Sequence, residues 1–102
     1  MSVETLAGNT FDLDLGAFVP RLSYLSASQA RLYLELGPHV IDEIVDVEIV
    51  PVRPDVFVVS WTEASGNYIV QVQDHELGVV HNRARLADGQ RLSLVGTIRP
   101  VN

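Results

Sequence analysis

The sequence predicts an all-β fold, an antiparallel barrel of about eight short strands. Three observations carry this reading. Apolar residues recur at every second position in run after run, the mark of strands with one buried face. Turn-forming residues separate these runs at roughly 8–12-residue spacing. Helical spacing occurs in only one stretch, residues 38–48, where Ile41, Ile44, Val45 and Glu48 fit it, although the Val and Ile there favour strand.

Phe11, Leu13 and Leu15 alternate with Asp12 and Asp14, and Gly16 closes this first strand. Leu22 and Tyr24 share a face in the second. Ala30, Leu32, Leu34 and Leu36 alternate with Arg31, Tyr33 and Glu35. Val45, Val47 and Ile49 alternate with Asp46 and Glu48, and Pro51 and Pro54 then force a bend or an end. After the run 56–61, Ser65-Gly66-Asn67 makes a turn into a strand where Tyr68, Val70 and Val72 alternate with Gln71 and Gln73, which puts the two Gln outside. Val80, Asn82, Ala84 and Leu86 alternate with His81, Arg83 and Arg85. Asp88-Gly89 is a tight hairpin dipeptide, and Leu92, Leu94, Gly96 and Ile98 form the last inner face. Residues 1–5 and 100–102 are expected to fray.

The chain of 102 residues is the size of one domain, taken here as 1–102. Its hydrophobic fraction of 47% and charged fraction of 20% are those of a folded protein. Thirteen acidic residues against seven arginines give a net charge of −6, which argues against nucleic acid and against anionic membrane surfaces as partners. With no Cys, disulfides and thiolate chemistry are excluded. The first residues lack the basic-then-apolar pattern of a signal peptide, and no apolar run spans a bilayer, so a cytoplasmic location is expected.

The segment Val56–Gly66 differs from the rest. It is apolar on both faces until Ser60 and holds the single Trp. By period 2, Phe57, Val59, Trp61 and Glu63 point the same way. A carboxylate on such a face is costly to ionise, so its pKa rises and it becomes a candidate general acid near neutral pH. The alternative places Glu63 at the strand end, in water beside the turn.

Ser60-Trp61-Thr62-Glu63-Ala64-Ser65-Gly66 resembles the Ser-Trp-Thr-Glu-Pro-Thr-Gly segment of bacterial phenolic acid decarboxylases. Asp74, Gly78, Asn82, the Asp88-Gly89 turn and the Gly96-Thr97-Ile98 ending resemble MoaF-like domains. Both groups are calycin, or lipocalin-like, barrels, so the resemblance implies that fold. It also implies that Glu63 is a proton donor and Trp61 a pocket wall. The decarboxylases carry two Tyr where this chain has Phe11 and Leu13, and an Arg where it has Val40 beside His39.

Tyr24, Tyr68 and Asn82 lie on faces with apolar neighbours and, with Trp61, Phe57 and Phe11, are the expected ligand contacts around Glu63. His39, His75 and His81, even with Asp74 and Glu76, do not converge in the pattern a zinc site needs, so no metal is expected. Asp74 is expected to cap the turn that follows it. No motif for a phosphate, dinucleotide or redox cofactor is present. The expected function is binding of a small apolar or aromatic molecule inside the barrel, with cofactor-independent lyase- or isomerase-type chemistry at Glu63. The alternative is a carrier or sensor without catalysis. A homodimer is expected from the two-sided apolar run 56–61 and from apolar exposure at Ile69 and Val79.

Overall fold

The alternation of apolar and acidic residues puts Phe11, Leu13 and Leu15 inside and Asp12 and Asp14 outside, and the same rule shapes most of the molecule. The computed structural model describes residues 1–101. It has nine strands: β1 (Thr10–Asp14), β2 (Arg21–Tyr24), β3 (Gln29–Leu36), β4 (His39–Asp46), β5 (Glu48–Arg53), β6 (Val56–Thr62), β7 (Tyr68–Asp74), β8 (Val79–Arg85) and β9 (Arg91–Pro100). All pairings are antiparallel, in one curled sheet of order β4-β3-β2-β1-β9-β8-β7-β6-β5. The two outermost strands, β4 and β5, follow each other in the chain with only Val47 between them. The backbone N–H of Val47 still bonds to Ser28 in the β2–β3 turn, and then β5 joins β6. The backbone N–H of Ala64 donates to the Glu43 carboxylate and ties the end of the β6 segment to β4.

The stretch 38–48 therefore holds strand β4 and the start of β5 rather than a helix, in line with its β-branched content. The one helix among the described residues is α1 (Val3–Leu6), where fraying was expected. Thr5 and Ser2 exchange hydrogen bonds across its single turn, and Leu6 is fully buried. The burial of Leu6 at the end of the barrel holds the segment in place, a long-range effect that local sequence does not reveal. The other end is also held, since Pro100 pairs with Phe11 and Val101 bonds to Thr10. Asn102 lies outside the described residues. No described helix is long and apolar enough to cross a membrane.

Cross-strand registers stack the inner face of β6–β9 in rows. Trp61, Ile69, Ala84 and Leu92 form one row, Val59, Gln71, Asn82 and Leu94 the next, and Phe57, Gln73, Val80 and Gly96 the third. The face of β7 is thus the reverse of the one expected. Ile69, Gln71 and Gln73 point inward, while Tyr68 and Val72 are exposed. Two observations explain the inversion: the glutamines are hydrogen-bonded to one another inside the barrel, and the outer face carries Val. Ile69 consequently is not on an outer contact surface. Across that surface Val50, Val58, Val72, His81 and Val95 stand side by side on β5–β9.

The third row crowds β9 against β1. A Cβ on Gly96 would lie 1.8 Å from the backbone oxygen of Asp14, so only glycine permits this approach.

Candidate functional site

The two ends of the barrel differ. At one end, below the third row, Phe11, Tyr24, Phe57 and His75 fill the interior with aromatic rings. His75 meets Phe11 edge-on at 4.8 Å and Phe57 at 5.7 Å, and Phe11 meets Tyr24 at 6.0 Å. His75 belongs to a corner that is polar in sequence. Its neighbours in sequence, Asp74 and Glu76, are polar, and nothing local shows that its ring folds back over the core. Burial against these rings lowers its pKa below the usual imidazole value, while the nearby Asp55 and Asp74 oppose the shift. Asp74 caps the turn as expected, accepting from the N–H groups of Glu76 and Leu77.

At the other end, where the β1–β2, β3–β4, β6–β7 and β8–β9 turns gather, the interior is hollow. A cavity of about 230 Å³ opens there. Most of its wall is aliphatic, and its polar groups are Glu63, Asn67, Gln71, Asn82 and the indole N–H of Trp61. Glu63 is its one ionisable side chain among the described residues. The volume exceeds the roughly 150 Å³ that holds benzene and falls below the ~300 Å³ of sites for drug-sized ligands. It suits one ring with a short substituent.

Trp61 and Glu63 reach this wall because β6 ends there with its inward positions in step. Trp61 is 4% exposed, and its indole N–H donates to Glu63 Oε2 at 3.2 Å. The turn then closes through Glu63 N–H to Asn67 O, with Gly66 in the left-handed region at φ 92°. Asn67 turns its amide back toward Glu63 Oε1 at 3.5 Å, and its own oxygen accepts from the Ala87 N–H at 2.9 Å. Burial raises the Glu63 pKa above the ordinary carboxylate value. The Trp61 hydrogen bond opposes this, the negative Glu43 across the seam adds to it, and Asn67 opposes it.

Of the expected contact residues, Trp61, Glu63 and Asn82 share the cavity wall. Tyr24, Phe57 and Phe11 pack in the filled end, away from it. Tyr68 lies on the outer face, where the Arg85 guanidinium covers its ring at 5.7 Å. Three residues of the site were not singled out from sequence: Glu43, Asn67 and Gln71. Asn67 looked like a turn former, and Gln71 looked outward. Glu43 was available from alternation, since it shares the parity of Val45 and Val47. Among the described residues no cluster of three or more His, Asp or Glu is placed to hold a metal ion.

A family model for MoaF-like proteins matches residues 7–99. The chain belongs to the MoaF-like family. The fold of this MoaF-like chain is similar to that of a Burkholderia vietnamiensis protein provisionally described as a beta-lactamase. The two share 23% identity and a TM-score of 0.88, over 94% of this chain and 95% of the other. At that identity the likeness concerns the fold alone. Comparison with curated proteins gave no match.

Proposed function

We propose that this MoaF-like barrel binds a small apolar molecule of about one ring and that Glu63 exchanges a proton with it. The observation that supports this is the placement of a single, half-buried carboxyl group on an otherwise uncharged cavity wall. Such a group ionises reluctantly, so it can hold a proton closer to neutral pH than a carboxyl in water. Trp61 and Asn67 aim N–H groups at the two carboxylate oxygens and orient the acid toward the cavity. The chemistry is a proton delivered to, or taken from, a carbon of the ligand, of lyase or isomerase type. The description of the Burkholderia protein brings no residues with it, since this wall has no Ser, Cys, Lys or His.

The carrier reading has its own support. Both Glu63 oxygens already have partners, as in a carboxylate whose role is structural. Intrinsic fluorescence tests the two readings, because Trp61 is the one Trp and stands on the cavity wall. Titration with small cyclic ketones, lactones and single-ring aromatic acids should give a saturable change. No change across the set, with blue emission that iodide does not quench, would remove the cavity as a binding site. For ligands that bind, Glu63→Gln should abolish turnover and keep affinity if the barrel is an enzyme. A carrier shows no turnover in either form.

A further inference from the structure

The interior contains a directional chain of hydrogen bonds from the filled end to the cavity. The Tyr24 hydroxyl donates to Gln73 Oε1 at 2.8 Å. Gln73 Nε2 donates to Gln71 Oε1 at 2.9 Å, and Gln71 Nε2 donates to Asn82 Oδ1 at 2.8 Å. Gln71, Gln73 and Asn82 are at most 5% exposed, and among the described residues no buried side-chain polar atom lacks a partner. Each amide has one accepting and one donating end, so the orientation of the first sets that of all three.

Tyr24 decides the orientation. It is 1% exposed, among apolar and aromatic neighbours, and burial keeps it a neutral phenol with its pKa raised. Its proton therefore needs an acceptor, and Gln73 Oε1 is the one it has. His75 Nε2 lies 3.3 Å from the same oxygen and can donate there too. Reversing the chain would leave the Tyr24 proton without an acceptor, at the cost of a buried unsatisfied donor. With the direction fixed, Asn82 spends its oxygen on Gln71 and leaves its Nδ2 at the cavity wall.

We infer that the Tyr24–Gln73–Gln71–Asn82 chain presents a fixed hydrogen-bond donor to the cavity and so selects a neutral, carbonyl-bearing molecule of about one ring, such as a cyclic ketone, lactone or aromatic aldehyde. The carbonyl oxygen lies at Asn82 Nδ2. Carboxylates are disfavoured, because the wall has no Arg or Lys to compensate a second negative charge near Glu63. Tyr24, Gln73 and Gln71 act through Asn82 as positioning residues. The inference rests on the cavity being a binding site, as proposed above.

The probes are cyclohexanone, its carbon isostere methylenecyclohexane, and cyclohexanecarboxylate, each titrated against the full chain by proton–nitrogen NMR. Cyclohexanone should bind about fivefold more tightly than methylenecyclohexane, the factor one hydrogen bond carries. Only cyclohexanone should move the Asn82 side-chain amide protons downfield, and cyclohexanecarboxylate should bind most weakly at neutral pH. Asn82→Leu should bring the ratio of the first two affinities near one. Tyr24→Phe should lower the same ratio from the far end of the chain, leave methylenecyclohexane affinity unchanged and shift the Asn82 amide signals in the free protein. It keeps the test open should Asn82→Leu fail to fold. Equal affinities with an unmoved Asn82 amide, or preference for the carboxylate, would overturn the inference and leave the binding site standing. Binding by none of the three would remove both.

Discussion

Trp61, on the inner face of β6, and Glu63, two positions on and just past the strand end, are joined by an indole N–H donated to the carboxylate over 3.2 Å. The bond holds the acid against the cavity wall and favours its ionised form, while burial favours the protonated form and prevails. The folded protein thus keeps this proton to higher pH than the unfolded chain. Between the ordinary carboxyl value and the raised one it binds more protons, so stability falls as pH rises through that window. Glu63→Gln should remove this slope. Against wild type, the variant should gain stability from about pH 4.5 upward. The gain should stay under about 1 kcal/mol, since solvent reaches the carboxylate. Thermal melts across the window check this. A difference that does not vary with pH would show a carboxyl that titrates as in water.

His75 titrates with the opposite sign. Its folded pKa is depressed by the rings of Phe11 and Phe57, so the unfolded chain binds more protons just below the ordinary imidazole value of 6.5. Stability should fall as pH drops from 6.5 toward the folded value. The His75 ring protons, followed by NMR, should show a midpoint under 6.5. His75→Gln, which keeps a donor for Gln73, should flatten the stability profile there. A midpoint at or above the ordinary value would mean that water reaches the ring.

Gly96→Ala tests the contact between β9 and β1. The new methyl would overlap the Asp14 carbonyl, which belongs to the backbone and cannot rotate away. A loss of roughly 3 kcal/mol is expected, the upper end for overpacking. Denaturant unfolding measures it, with Gly89→Ala as a comparison, since at that position space is open and only the left-handed φ of 90° is strained. Equal costs at both sites would mean that β9 can shift away from β1.

We propose that the outer valine row pairs two copies of the chain. Val95 is 66% exposed, Val50 47% and Val72 37%, and His81 is the one residue of this described row that is not valine. Val72→Asp should lower the mass seen in sedimentation equilibrium from dimer to monomer and leave the fold intact. A wild-type monomer at high concentration would end this proposal.

Where one face of a strand is apolar and the other charged, the fold was legible in the sequence. β1, β3 and β8 point as their alternation requires, and Tyr24, Asn82, Trp61 and Glu63 all face inward. β7 was misread because hydropathy treats glutamine as a surface residue. Gln71 and Gln73 are tolerated inside only because Tyr24 and Asn82, distant in sequence, complete their hydrogen bonds. The site was legible in its β6 half, where one continuous stretch of chain, β6 and the residue after it, supplies Trp61 and Glu63. Asn67 joins them through the local turn after β6 and Glu43 through the inward parity of β4, but turn chemistry and alternation alone do not say that either one faces Glu63.

The sheet order shows how the chain assembles. β1–β4 are joined by successive hairpins, and so are β5–β9. Among the described residues, only the pairing of β1 with β9, which sets Leu13 beside Ile98, links strands far apart in sequence. Two meanders are thus built from local pairings and one non-local pairing fastens them, the contact that carries the largest loop-closure cost. Val47 is the hinge between the halves. When that pairing opens, the β5–β9 half of one molecule can fasten onto the β1–β4 half of another, so this barrel carries within its connectivity a ready route to domain exchange.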